Sequence, residues 1–145
     1  MTPFDDALQH LARHLGLNRL ARHGDMVSVP REQGEVFLSA LPANYLLMFV
    51  LLDEQPLPEG RQLLALNHFS HEPLRPTVAF DRRSGNWLLW SRQPLGGSSG
   101  MTDVITQFEL LETSLQQVLE QARTYPAPVS KATAPRTSAI RGGML

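Results

Sequence analysis

Apolar positions in this 145-residue chain switch between helical and strand periods, and the switches predict its elements. Phe4, Leu8, Leu11 and Leu15 recur at helical spacing and form one narrow stripe. Thr2-Pro3 opens that helix, with Pro3 suited to a first turn and Asp5 and Asp6 favourable near the positive end of the helix dipole. Gly16 is a natural stop, and Leu17 and Leu20 follow as a second anchor before an Arg22-His23-Gly24-Asp25 turn. Residues 26–29 and 35–41 read as strands on either side of a turn at 30–34. Residues 45–52 are apolar throughout, the pattern of a central strand covered on both faces. Residues 77–81 and 86–91 predict a hairpin, with Gly85 at the left-handed position of its turn. After a loop at 96–100, Thr102 suits the cap of a last helix whose stripe is Val104, Phe108, Leu111, Leu115, Val118 and Ala122. The order helix-β-β-β-helix-β-β-helix predicts an α+β fold with a twisted, mainly antiparallel sheet flanked by helices.

The segment 60–69 breaks the one-sided pattern. Leu63, Leu64, Leu66 and Phe69, at about 100° per residue, wrap more than half of a very short helix, which therefore needs cover on two sides. Asn67 falls inside that arc, and a carboxamide there requires a hydrogen-bonding partner. A homodimer with two copies packed about a two-fold axis would cover the leucines. It would also offer Asn67 its counterpart or a cross-interface carbonyl, fixing register as buried asparagines do in coiled coils. Trp87 and Trp90 are three apart on a strand and so point to opposite faces, which leaves neither face of the hairpin simply wet.

Length suits one domain, placed at residues 1–125, followed by a tail at 126–145. The tail is rich in Pro, Ser, Thr, Ala and Gly, carries Lys131, Arg136 and Arg141 with no acid, and has too little apolar surface to offset ordering. The ten basic and fourteen acidic residues that precede it make the body mildly acidic, against the basic stripe a nucleic-acid-binding surface needs. With no cysteine there is no disulfide, thiolate metal site or cysteine nucleophile. The start, MTPFDDALQHLARHLGL, does not read as a secretory leader, and the longest apolar run is far too short to span a bilayer. A soluble, cytoplasmic protein is expected.

Three motifs invite chemistry and none is completed. Gly96-Gly97-Ser98-Ser99-Gly100 matches the G-x-S-x-G pattern, but no histidine follows it in sequence. As a phosphate cradle the same glycines lack the terminal lysine and place Asp103 near the anion. His10 and His14 have metal-sharing spacing, but a zinc site needs a third protein ligand. No catalytic residue, metal or cofactor is expected.

Taken in order, the first helix ending in Leu15-Gly16-Leu17, the short strands, the apolar strand, Leu63-Leu64-Ala65-Leu66-Asn67, the hairpin Val78-Ala79-Phe80-Asp81 to Trp87-Leu88-Leu89-Trp90, then Pro94-Leu95 and a closing helix resemble the Tir-chaperone (CesT-like) family. These are class I chaperones of bacterial type III secretion. The resemblance spans residues 4–123 and rests on the order and spacing of the pieces. Departures are the longer segment His68 to Pro76 after the asparagine and a weaker acidity than many members show.

The resemblance implies a homodimer with Leu63, Leu66, Asn67, Phe69, Val78, Phe80 and Trp90 at the interface. It implies binding of the N-proximal segment of a secreted effector in extended form, keeping it soluble and export-competent, and contact with the secretion-apparatus ATPase. A strand edge would take the segment's backbone and pockets its alternate side chains. Leu8, Leu11, Val27, Val29, Phe37, Met48 and Val50 are the candidate pocket residues. The competing expectations are a small dimeric adaptor or regulatory module of the same fold that binds a folded partner, and a small enzyme such as a hydrolase using Ser98 or a metal at His10 and His14.

Overall fold

A computed structural model describes residues 2–52, 57–68, 71–96 and 102–124. Phe69, Ser98 and the tail at 126–145, singled out above, lie outside the described residues. The elements are α1 (Pro3–His14), β1 (Ala21–His23), β2 (Met26–Arg31), β3 (Gly34–Ser39), β4 (Tyr45–Leu51), α2 (Gly60–Leu64), β5 (Thr77–Asp81), β6 (Asn86–Pro94) and α3 (Thr102–Thr124). The six strands form one antiparallel sheet in the order β1-β2-β3-β4-β6-β5. The α+β class and the central place of the apolar strand agree with the sequence. One strand is additional: Ala21–His23, expected as part of a turn, pairs with Met26–Ser28 through a tight Gly24-Asp25 reversal.

One face of the sheet builds the core. Val27, Val29, Val36, Leu38, Leu46, Met48, Val50 and Leu89 pack beneath the stripes of α1 and α3. All six expected stripe residues of α3, from Val104 to Ala122, are buried. The stripe of α3 is interrupted by a polar residue, Gln107, that is itself fully buried. Its Nε2 donates toward Leu46 O of β4 and Ser91 O and Oγ of β6, each at 3.2 Å, while its Oε1 accepts from Gln93 Nε2 at 2.6 Å. Gln93 Nε2 also donates to Asp103 O at 3.0 Å. A helix is thereby tied to the adjacent interior strands β4 and β6 by polar contacts inside an apolar layer, each of these buried groups having a partner.

Within one chain, residues 45–52 are fully covered on one face only. Leu46, Met48, Val50 and Leu52 are buried, whereas Leu47 and Phe49 are half-buried and Tyr45 and Leu51 exposed. On this outer face Phe37 stacks on Phe49 at 5.2 Å, and Trp90 lies opposite Phe49 in the β4–β6 ladder. The Arg92 guanidinium sits over both Tyr45 and Trp90, 5.1 and 5.9 Å from the ring centroids. Trp87 packs toward the core against Phe80, so the two tryptophans do face opposite ways.

Candidate functional site

The end of α1 shapes a concavity beside an edge strand of the sheet. Gly16 sits at φ +73°, a conformation disfavoured for residues with a Cβ, and lets the chain reverse. Leu17 N–H then donates to Ala12 O at 2.8 Å and Gly16 N–H to Arg13 O at 3.2 Å, the paired bonds of a Schellman motif. That motif brings the residue after the glycine back against the last helical turn. Leu17 remains 40% exposed and lines a groove of about 760 Å³.

The groove lies between α1 and β1. Leu8, Ala12, Leu17, Leu20 and Val27 give it an apolar floor, and Asp5, Arg13, Arg19 and Arg22 a charged rim. The helix supplies its wall because Asp5, Leu8, Gln9, Ala12 and Arg13 share one helical face. Arg22 Nη1 bonds Asp5 Oδ1 at 3.1 Å, and its guanidinium lies 5.8 Å from the Phe4 ring centroid, tying β1 to the start of the helix. The Thr2 hydroxyl first, and then Arg22, hold the Asp5 carboxyl below its usual value. Thr2 and Asp5 also form the capping box that starts α1.

Strand β1 pairs with β2 on one side only and is an edge of the sheet. An extended segment added there would continue the ladder, and every second side chain would face the wall of α1. The opposite edge, β5, is differently equipped. Asn67 Nδ2 donates to Val78 O at 2.7 Å, and Val78 N–H donates to Asn67 Oδ1 at 2.6 Å. The carboxamide acts like one peptide unit of a further strand and occupies both backbone groups of Val78. This corrects the expected cross-dimer partner of Asn67: a donor and an acceptor at fixed spacing fit a free strand edge of its own chain.

The structure separates the seven expected pocket residues. Leu8 and Val27 line the groove. Leu11, Val29, Met48 and Val50 do not, because they are buried in the core under the helices. Phe37 is on the outer face, stacked on Phe49. Of the expected dimer residues, Leu63 and Val78 are also corrected to core positions. Leu66 is partly buried against that core, Trp90 is half-buried on the outer face, and Phe80 is 47% exposed. Leu64, half-exposed, is the α2 leucine left without full cover.

Sequence reasoning missed Ala12, Leu17, Leu20, Arg13, Arg19 and Arg22 as a group. Their signal was the Leu-Gly-Leu punctuation itself, since a glycine stop at a helix end predicts that the following hydrophobe folds back on the last turn. The apolar stripe, by contrast, marked burial without saying by what. Among the described residues no three His, Asp or Glu side chains are grouped to hold a metal ion, and His14 instead faces Glu109 at 3.6 Å. Among them also, no helix is long and apolar enough to cross a membrane.

Comparison with known proteins bears on the family and the fold. The profile of the Tir chaperone protein (CesT) family matches residues 6–126. The YopE regulator of Yersinia pestis is 30% identical over 111 residues, spanning 77% of this chain and 85% of that protein. Among solved structures, a chain of the ExoT-SpcS complex from Pseudomonas aeruginosa superposes with a TM-score of 0.69 at 27% identity, covering 80% of this chain and 97% of that one. A chain of the HopA1-SchA chaperone-effector complex shares the fold, with a TM-score of 0.65 at 18% identity over 81% of this chain and 94% of its own.

Proposed function

The chain belongs to the Tir chaperone protein (CesT) family and is a type III secretion chaperone, and from that premise we propose how it holds its client. The N-proximal segment of a secreted effector binds in extended form, its backbone along β1 and its alternate side chains in the groove walled by α1. The observation that carries this reading is the juxtaposition of a sheet-edge strand with a groove that has apolar side chains beneath a polar, charged rim. Backbone pairing tolerates many sequences, and the floor of Leu8, Ala12, Leu17, Leu20 and Val27 selects among them. Binding keeps the segment soluble and competent for export. The work is binding rather than catalysis, done in the bacterial cytoplasm by a body of residues 1–125, with the tail at 126–145 outside it.

The working unit is a homodimer. The outer sheet face supports it: an unbroken set of Phe37, Leu47, Phe49, Leu51 and Trp90 is incompletely covered within one chain, and a second copy offers the same surface in self-complementary form. Co-expression with an effector from the same host should yield a soluble complex of two chaperones per effector by light scattering. Limited proteolysis should then leave a protected extended segment. Protection of a compact effector domain instead would favour an adaptor that binds folded partners, and Leu17→Asp binding as well as the parent chain would remove the groove from the account.

A further inference from the structure

The groove carries an asymmetry of charge that the apolar floor does not require. Four charged side chains line it, Asp5, Arg13, Arg19 and Arg22. Asp5 and Arg22 neutralise each other at 3.1 Å, and Asp5 is further engaged by the Thr2 hydroxyl at 2.8 Å. Arg13 and Arg19 make no ion pair among the described residues. The concavity therefore presents two uncommitted guanidinium groups, in a chain whose residues before the tail carry fourteen acids against ten bases. An acidic segment would meet a mostly unfavourable surface elsewhere and a favourable one here, which steers it to this site.

Resting on the chaperone reading above, we propose that Arg13 and Arg19 select for the client: the segment seated in the groove carries an aspartate or glutamate beside its apolar anchors, paired with these two arginines. Geometry sets where the acid falls. Along an added strand, side chains on one face recur about every 7 Å, so an anchor over Leu8 places the neighbouring same-face side chain a little over one helical turn further along the α1 wall, level with Ala12 and Arg13. Arg13 stands next to Ala12 at the end of that wall, and Arg19 lies on the chain that leaves it. The acid is therefore expected two residues from an apolar anchor, on the same face. Guanidinium groups suit this role because each can engage a carboxylate through two parallel N–H donors.

The test is selection of displayed random 16-residue segments on the full chain. It is repeated with Arg13→Ala/Arg19→Ala and with Arg13→Glu/Arg19→Glu; both arginines are exposed, and a thermal melt verifies folding. The parent chain should enrich Asp or Glu over Lys or Arg about tenfold at a position two residues from an apolar anchor, the ratio expected of two partly screened ion pairs. The alanine variant should keep the apolar anchors and lose the acid preference, and the glutamate variant should prefer Lys or Arg. Apolar-anchored segments with no acid preference on the parent chain would overturn the proposal and leave the groove as the client site. An acid preference that survives in the glutamate variant would also overturn it, by placing the acid elsewhere. Failure of every chain to enrich any segment would remove the groove reading itself, and the charge selection with it.

Discussion

Replacing Gln107 by leucine tests the central claim about how the helices are held on the sheet. Hydrophobic periodicity alone favours the change, since Gln107 lies among the buried residues of α3 and leucine has similar size. The geometry predicts the reverse. The two Nε2 protons are shared among Leu46 O, Ser91 O and Ser91 Oγ at 3.2 Å, and Oε1 accepts from Gln93 at 2.6 Å. Leucine abolishes about three bonds at once, each worth about 1 kcal/mol net, and leaves carbonyls that cannot be removed by any side-chain change. Burial of the more apolar side chain returns about 1 kcal/mol, so the expected net loss is about 2 kcal/mol. For a folded body of this size that lowers the melting temperature by roughly 8 °C.

The assay is thermal and urea unfolding at one fixed protein concentration, because dimerisation would otherwise shift the apparent stability. Gln116→Leu, exposed on the same helix, is the control and should stay within about 0.5 kcal/mol of the parent. A Gln107→Leu chain that melts at or above the parent temperature would refute the reasoning. The polar cluster would then be a tolerated intrusion, not a tie between α3 and strands β4 and β6.

Three further outcomes follow from other contacts. Asn67→Ala should unpair both backbone groups of Val78, speeding exchange of that amide proton at least tenfold and costing about 2 kcal/mol; unchanged exchange would mean that the edge is protected by something else. Trp90→Glu should place a charge at the centre of the outer face and convert the dimer to a folded monomer by light scattering, whereas a persistent dimer would move the interface off this face. Asp5 is held below its ordinary pKa of 3.8 by Thr2 and then Arg22, so its stabilising effect is present above that value and is lost as pH falls through the lowered one. At pH 3.8 it should still be mostly ionised in a carboxyl-carbon NMR titration, and a midpoint at or above 3.8 would contradict the contacts.

Elements whose residues face one environment were legible from the chain. The α3 stripe from Val104 to Ala122 is buried as its spacing requires, and Gly16 and Gly85 both take positive φ where a helix ends and a hairpin turns. Strand Ala21–His23 was missed for a physical reason: all three residues are exposed, so no alternation of apolar and polar positions marks it, and backbone pairing to β2 alone defines it. The pocket residues failed differently. Leu11, Val29, Met48 and Val50 are apolar positions of a helix and of strands, a pattern that marks burial without naming what buries the side chain, and within this chain they are core. Groove residues such as Arg13, Leu17 and Arg19 lie at a helix end and in a connection, where side-chain periodicity carries no signal.

Asn67 shows how one contact bears on the function of a distant edge. A six-stranded open sheet has two edges, each able to accept an extended segment, and unspecific addition at either would be a route to aggregation. At β5 the Asn67 carboxamide already occupies the outward N–H and C=O of Val78, and the exposed neighbour two residues on is the bulky Phe80. At β1 no comparable contact is made among the described residues, and the strand is bordered by a groove that includes Arg13 and Arg19, which make no ion pair among those residues. A peptide seeking backbone partners thus meets a plugged edge on one side and an equipped one on the other. If this asymmetry directs the client, Asn67→Ala should do more than destabilise: it should open a second, weaker site for the same extended segment. Isothermal titration of the variant with a segment selected on the parent chain would then show two classes of site. A single class, of unchanged affinity, would mean that the groove and not the occupied edge decides where the segment goes.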